Sequence, residues 1–315
     1  MEALSHLLSL YPVHTALDVR CHFGAPWLLE HEGAEYGVAP YHMIVGGSGR
    51  LEMGGQEDIP VHAGDIVLFP RGTAHRLHAE EAQGPPAANR HATGEHVLPS
   101  LYNEGSGPVT DILCGQIVFG QGASNALLAA LPELIHVRTE GRADLAALQN
   151  LIGMLRAETE IVRPGARAVV SQLASAMFAL LMRAWMEQSS SMPGLFSLLA
   201  EPRLQAALQG MLTEPARPWE LVELAEACNM SRATFARLFQ KAAGATPGVF
   251  LTQTRMAKAA ALLAEGRLPV GQIGEQVGYQ SEAAFNRVFK RCYGVGPGAY
   301  RRNAAMAARR RPGAA

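Results

Sequence analysis

Cysteine is scarce in this chain, four in 315 residues, and the start shows no charged-then-apolar leader. That count argues against a disulfide-stapled secreted scaffold and leads to the expectation of a reducing cytoplasm. Long apolar runs are missing too. The most apolar stretch, 166–185, is interrupted by Arg167, Ser171, Gln172 and Arg183, so it reads as an amphipathic or buried helix and not a membrane span. Neither sign of charge dominates, with a formal net of −1, yet the balance is split along the chain. Residues 200–315 hold 16 Lys+Arg against 8 Asp+Glu, while residues 1–199 hold 11 against 20. A basic C-terminal half suits a polyanion, and an acidic N-terminal half repels one. Histidine is absent beyond His136, all 11 lying between His6 and His136. The two halves therefore do different chemistry, and the length accommodates two domains plus a connector.

What the chain does contain is a repeat. Phe235, Arg237, Phe239, Gly244, Pro247 and Gly248 recur fifty residues later as Phe285, Arg287, Phe289, Gly294, Pro297 and Gly298, with Phe250 and Tyr300 closing the copies. Each copy is punctuated as a helix-turn-helix. In the first, Leu221, Leu224 and Ala225 mark a short helix, Asn229 supplies a left-handed turn residue and Ser231 caps the next helix. In the second, Ile273 and Val277 mark the first helix, Gly278 turns and Ser281 caps. A helix entering the major groove by its N-terminal half would present Arg232, Ala233, Ala236 and Arg237 from copy one. Copy two would present Glu282, Ala283, Asn286, Arg287 and Lys290, with the phenylalanines on the opposite side.

Over about 203–301 these residues resemble the AraC/XylS family of bacterial transcription regulators. The specific matches are Arg255-x-x-x-Ala259-x-x-Leu262-Leu263, Val277-Gly278-Tyr279 and Gly294-x-x-Pro297-x-x-Tyr300. Gly274 and Glu275 depart from the pattern, because the family usually places Ala after the Ile at 273. The resemblance implies a non-enzymatic regulator that reads a double-stranded DNA operator at the nucleoid as a homodimer. It implies contact with RNA polymerase where the chain activates, and no membrane.

From Ala16 to about Phe119 short strands alternate with Gly/Pro turns, which points to a sandwich or barrel. Gly64-x5-Pro70-x-Gly72-x2-His75 fits the second cupin motif, in which the Gly turns a hairpin corner and the His points inward. The first cupin motif is half present: His42 holds a ligand position, but Ile44 stands where a second His is usual. The expected fold class is α+β. It comprises a cupin-like β-barrel sensor (1–126), a helical connector with linker (127–194), an all-α double helix-turn-helix domain (195–302) and a disordered tail (303–315). Within this plan 83–108 reads as a mobile insertion, with His91 and His96 solvated. Met1–Leu10 reads as a short helix. In the connector, Leu145, Leu148, Leu151, Ile152 and Leu155 form one apolar stripe, and Val169, Leu173, Met177, Leu180 and Ala184 another. Residues 188–194 read as a linker.

The N-terminal half also resembles a branch of the family that answers reactive chlorine. The matches are Met1-Glu2-Ala3-Leu4-Ser5, Cys21, Trp27, His31, His42, Leu51-Glu52-Met53, Gly64, Pro70, Ala74-His75-Arg76-Leu77 and Cys114-Gly115. This resemblance implies that Cys21 and Cys114 are a redox-sensing pair, although an additional Cys of that branch is missing here. Read from the residues alone, each cysteine is equally a small buried hydrophobe, and Cys228 and Cys292 read as structural. Arg20 and His22 beside Cys21 favour a thiolate and make it the expected nucleophile. His31, His42 and His75 together suit zinc or iron. The alternatives are therefore a regulator answering a small molecule or metal in the barrel and, remotely, a cupin metalloenzyme such as a dioxygenase. An oxygenase has no use for a tandem DNA reader.

Overall fold

The computed structural model describes residues 2–54, 58–80, 84–120, 126–189 and 194–309. The chain runs α1 (Glu2–Leu10), β1 (Val13–Gly24), β2 (Leu28–His31), β3 (Val38–Gly46), β4 (Ser48–Met53), β5 (Ile59–His62), β6 (Ile66–Leu68), β7 (His75–His78), β8 (Arg90–His91), β9 (Ser100–Tyr102) and β10 (Val109–Phe119). It continues with α2 (Ala126–Ala130), β11 (Ile135–Val137), α3 (Ala146–Glu160), α4 (Ala166–Gln188), α5 (Gly194–Ala200), α6 (Gln205–Thr213), α7 (Leu221–Ala227), α8 (Arg232–Ala243), α9 (Pro247–Glu265), α10 (Val270–Gln276), α11 (Glu282–Tyr293) and α12 (Pro297–Arg309). Two compact units result. Residues 13–119 and 131–189 form the sensor unit; residues 1–12, 120–130 and 190–315 form the reader unit.

The sensor unit faces a seven-stranded sheet, in the order β11-β6-β3-β10-β1-β9-β8, with a four-stranded one, β2-β7-β4-β5. Phe23, Trp27, Ile44, Leu51, Val67, Phe69, Leu77 and Ile112 fill the space between them, together with Cys21 and Cys114. Burial of this apolar surface drives the assembly. β3 is buried from Ala39 to Val45, on both of its faces, because α3 also packs on it; α4 packs on β1. That explains why β3 reads as a nearly continuous apolar run where a half-exposed strand would alternate. Gly64 holds φ +94° at a corner where a Cβ would stand 2.5 Å from Thr139 Oγ1, so the turn requires glycine.

Several sequence expectations are corrected here. The 83–108 segment carries β8 and β9, and β9 pairs in parallel with β1 over Arg20–His22, tying the segment to the sheet; Gln83 lies outside the described residues. The helical pattern expected from Leu127 is interrupted by β11, which pairs with β6. On α4 the buried face includes Val170, Ala174, Met177, Phe178, Leu181 and Ala184, so Met177 and Ala184 of the expected stripe lie on it while Val169 is 44% exposed. The connector helices α3 and α4 fold with the sensor, while α1 and α2 fold with the reader. Helix continues through α12 to Arg309 where a disordered tail is expected from 303. Residues 190–193 of the expected linker and 310–315 of the tail lie outside the described residues.

The reader unit writes its repeat in structure. Ser231 caps α8 by accepting from the Thr234 amide, and Ser281 caps α11 by accepting from the Ala284 amide. Gly244 and Gly294 end those helices in the left-handed region, at φ +70° and +73°. Phe235 and Phe239 in one copy, and Phe285 and Phe289 in the other, are fully buried. Arg255 on α9 donates to the carbonyls of Pro215, Ala216 and Arg217, pinning the linking helix to the start of the first copy. Gly274 is explained by packing: a Cβ there would meet the Phe285 ring at 3.2–3.3 Å.

Candidate redox site and nucleic-acid interface

The antiparallel ladder of β1 and β10 places Cys21 opposite Ile112 and Cys114 opposite Val19. The two cysteines are therefore diagonal neighbours on one inward face, close enough that Cys21 raises the Cys114 thiol. The register shifts between Leu17 and Val19, a bulge beside the pair. Because side chains alternate along a strand, Arg20 and His22 point away from Cys21. Arg20 pairs with Glu160 at 3.2 Å and His22 with Asp111 at 2.6 Å. The charges expected to activate Cys21 thus serve other partners, a correction that strand parity makes unavoidable. Cys21 is fully buried and Cys114 is 7% exposed.

The base beside this pair comes from β3. His42 Nδ1 lies 3.0 Å from Cys114 Sγ, and His42 Nε2 lies 2.7 Å from His75 Nε2. His75 Nδ1 contacts the Thr73 carbonyl at 2.7 Å, and His31 Nδ1 contacts the Glu32 carbonyl at 2.7 Å. Carbonyls only accept, so His75 and His31 carry their protons on Nδ1, and His75 turns a bare Nε2 to His42. His42 must then donate from Nε2 to His75, which leaves its Nδ1 facing Cys114 Sγ at 3.0 Å as an acceptor. Burial, followed by the neighbouring rings of His75 and His31, holds His42 well below the ordinary histidine range. Burial, with a further push from His31, lowers His75 to about 4. The hydrogen bond to Cys21 first, then burial and the charge of Asp18, hold the Cys114 thiol well above its usual value.

The three expected histidines are brought together, their ring centroids 5.0–5.9 Å apart. His42 and His75 are joined Nε2 to Nε2 at 2.7 Å, and the His31 ring stacks on His75. Ile44 shares the inward face of His42 and packs in the apolar core, so it offers no second ligand. Sequence reasoning missed another cluster. Glu52, Asp58 and His78 bring carboxylate and imidazole atoms within 4.8 Å of one another, with Arg50 already paired to Asp58 at 3.3 Å. Nothing in the spacing of these residues signals the cluster, because β4, β7 and the start of β5 assemble it. An open cleft of about 750 Å³ lies alongside, lined by His31, His75, Glu32, Glu52, Asp58 and Arg76 among others.

In the reader unit Arg232, Ala233, Arg237, Glu282, Ala283, Arg287 and Lys290 are exposed, while Ala236 and Asn286 are half-buried. Asn229 at φ 54° and Gly278 at φ +88° make the two turns. Cys228 and Cys292 are half-buried on the helical hairpins, and burial raises both thiols.

A family model described as cupin matches residues 2–187, and one described as a helix-turn-helix domain matches 224–303. The RCS-specific HTH-type transcriptional activator RclR of Escherichia coli K12 is 34% identical over 96% of this chain and 97% of its own length. The HTH-type transcriptional regulator MtrA of Neisseria gonorrhoeae is 31% identical over 96% and 98%. A solved structure of ToxT from Vibrio cholerae O395 aligns over 93% of this chain and 97% of its own at 13% identity, with a TM-score of 0.36. With the two sequence patterns spanning both units and full-length relatives that are regulators, this chain belongs to the AraC-family transcription regulators with an N-terminal cupin domain.

Proposed function

We propose that this regulator is switched by a reactive chlorine species or related oxidant through Cys21 and Cys114, acting as a homodimeric activator on its DNA operator. The observation that carries the reading is the diagonal placement of the two cysteines on one inward face of β1 and β10, with an imidazole nitrogen 3.0 Å from one sulfur. The printed specificity of the Escherichia coli relative for RCS supports it. DNA is read by Arg232, Ala233, Ala236 and Arg237 from α8, and by Glu282, Ala283, Asn286, Arg287 and Lys290 from α11. Copies associate through the outer face of α3 and α4, where Met154, Ile161, Val162 and Val169 are 44–56% exposed.

The two strands are central in the large sheet, so oxidation acts inside the sheet and not at an edge. Diagonal residues stand farther apart than a disulfide prefers, and closing the bond shifts the ladder at the adjacent bulge. In the chain, β1 is preceded by α1 and β10 leads on to α2, helices that fold with the reader. A ladder shift therefore pulls on both. The test is operator binding and transcription by Cys21→Ser and Cys114→Ser with and without hypochlorite. Each variant should bind DNA as the reduced parent does and lose the oxidant response. A full response in either would shift the sensing role to the His31/His75 cleft and a small-molecule ligand.

A further inference from the structure

The outer face of the smaller sheet gathers three acceptors round one point. Side chains alternate along β4, so Arg50 and Glu52 share that face while Leu51 and Met53 enter the core. His78 stands directly opposite Arg50 in the β4/β7 ladder and is therefore diagonal to Glu52. Asp58 precedes Ile59, the partner of Leu51 on β5. His78 Nδ1 lies 2.9 Å from the Ala79 carbonyl, which only accepts, so Nδ1 carries the proton and Nε2 presents a lone pair. That nitrogen is buried, although the side chain as a whole is partly exposed, and it has no hydrogen-bond partner among the described residues. It faces Glu52 Oε1 and Asp58 Oδ2, each at 3.7 Å. Three electron pairs thus converge with no hydrogen between them. A buried acceptor without a donor is costly, and a cation removes that cost.

We propose that Glu52, Asp58 and His78 bind one divalent first-row transition ion, zinc being the type, with a remaining coordination position open to the adjoining cleft. The surroundings are those of a ligand set. A metal-binding histidine ordinarily donates its other ring N–H to a carbonyl or carboxylate, and Ala79 fills that role for His78. Arg50 holds Asp58 from outside, with Nη2 donating to its backbone carbonyl at 3.1 Å and Nε 3.3 Å from Oδ2. A carboxylate oxygen has lone pairs for both a guanidinium and an ion. Arg76, opposite Glu52 in the ladder, pairs instead with Glu30 at 2.9 Å.

Distances and charge agree with this. With bonds of about 2.0–2.2 Å, tetrahedral ligand atoms stand roughly 3.3–3.6 Å apart, so the 3.7 Å spacings close by a few tenths of an ångström. The third pair of atoms lies within 4.8 Å. One imidazole with two carboxylates suits zinc better than the all-oxygen ions calcium or magnesium. The cleft that reaches Glu52 and Asp58 is also walled by Glu30 and Glu32, with Arg76 the one Lys or Arg among its lining residues, so it concentrates cations. The site is separate from the His31, His42 and His75 group, with which it shares only the cleft.

The test strips the reduced full chain with a chelator, dialyses it against buffered micromolar zinc and measures bound metal by mass spectrometry. The parent should take up zinc, and His78→Gln and Glu52→Gln should each weaken one bound ion by at least about tenfold to 100-fold. His75→Gln should keep that ion. Both test positions lie on the sheet's outer face, and Glu52→Gln carries the test if His78→Gln melts early by circular dichroism. Zinc absorption spectra should show only nitrogen and oxygen ligands, at about 2.0–2.2 Å. A parent that binds no zinc overturns the proposal, as does uptake unchanged in both variants. So does an ion that leaves with His75→Gln and stays in His78→Gln, which would assign it to the barrel histidines. A sulfur shell at about 2.3 Å on the ion lost from His78→Gln would assign it to cysteines and equally overturn the site.

Discussion

Arg237 and Arg287 stand at the same position of two repeats, each exposed on the helix face opposite a fully buried Phe pair. A guanidinium there offers a planar fork to a guanine edge, and losing such a contact costs about 1–3 kcal/mol. Arg237→Ala and Arg287→Ala should each weaken operator binding by that amount at fixed salt, measured by fluorescence anisotropy, and relax base preference at separate positions. Equal affinity of both variants and parent would remove these residues from the interface. The cysteines teach the opposite lesson about sequence neighbours. Arg20 and His22 flank Cys21 in the chain yet sit across the sheet from its sulfur, while the group that does touch the pair, His42, is 72 residues from Cys114. Parity along a strand is legible in a sequence; which strand lies next door is not.

At the level of elements, the paired helix-turn-helix units of the reader were legible, because their signals are local. Ser231, Asn229, Gly244 and their counterparts Ser281, Gly278 and Gly294 act on the backbone within a turn of themselves. The barrel was legible where strands alternate or run apolar, as in β2, β3, β4, β6 and β10. His75–His78 and Ile59–His62 are four-residue strands too short and polar to announce themselves, and β9 gains its place by pairing with a distant strand. α4 was seen as a helix with Met177 and Ala184 correctly on the buried face and Val169 wrongly so, since apolar residues surround it and only packing decides which are covered. What remains uncovered is informative. Met154 on α3, Ile161 and Val162 in the turn, and Val169 on α4 lie exposed along one helical hairpin. Met154→Asp combined with Val169→Asp should leave the melting temperature nearly unchanged, because exposed positions tolerate charge, while shifting sedimentation from dimer to monomer. A double variant that stays dimeric would place the interface elsewhere.

For the whole molecule, the decisive feature is that its first helix belongs to the unit built mainly from its last 120 or so residues. α1 packs on α6 and α9, with Ala3 and Leu7 buried, Leu7 at 1% exposure. Tyr11, just after it, is pushed up by burial first and then by Cys292, a residue of the second repeat. A reader cut out from Gly194 onward would lack this layer, so its core would be open on one side. The burial of a leucine side chain and the cavity left by removing it set the scale, about 2–5 kcal/mol for Leu→Ala at a filled site. Leu7→Ala should therefore lower the stability of the reader unit by that amount and leave the sensor unit alone. Hydrogen exchange read by mass spectrometry distinguishes the two: amides of α6 and α9 should exchange faster in the variant, and those of β3 and β10 should not. Faster exchange confined to β1 and β10 would instead mean that α1 serves the sensor, and the division of the chain would have to be redrawn.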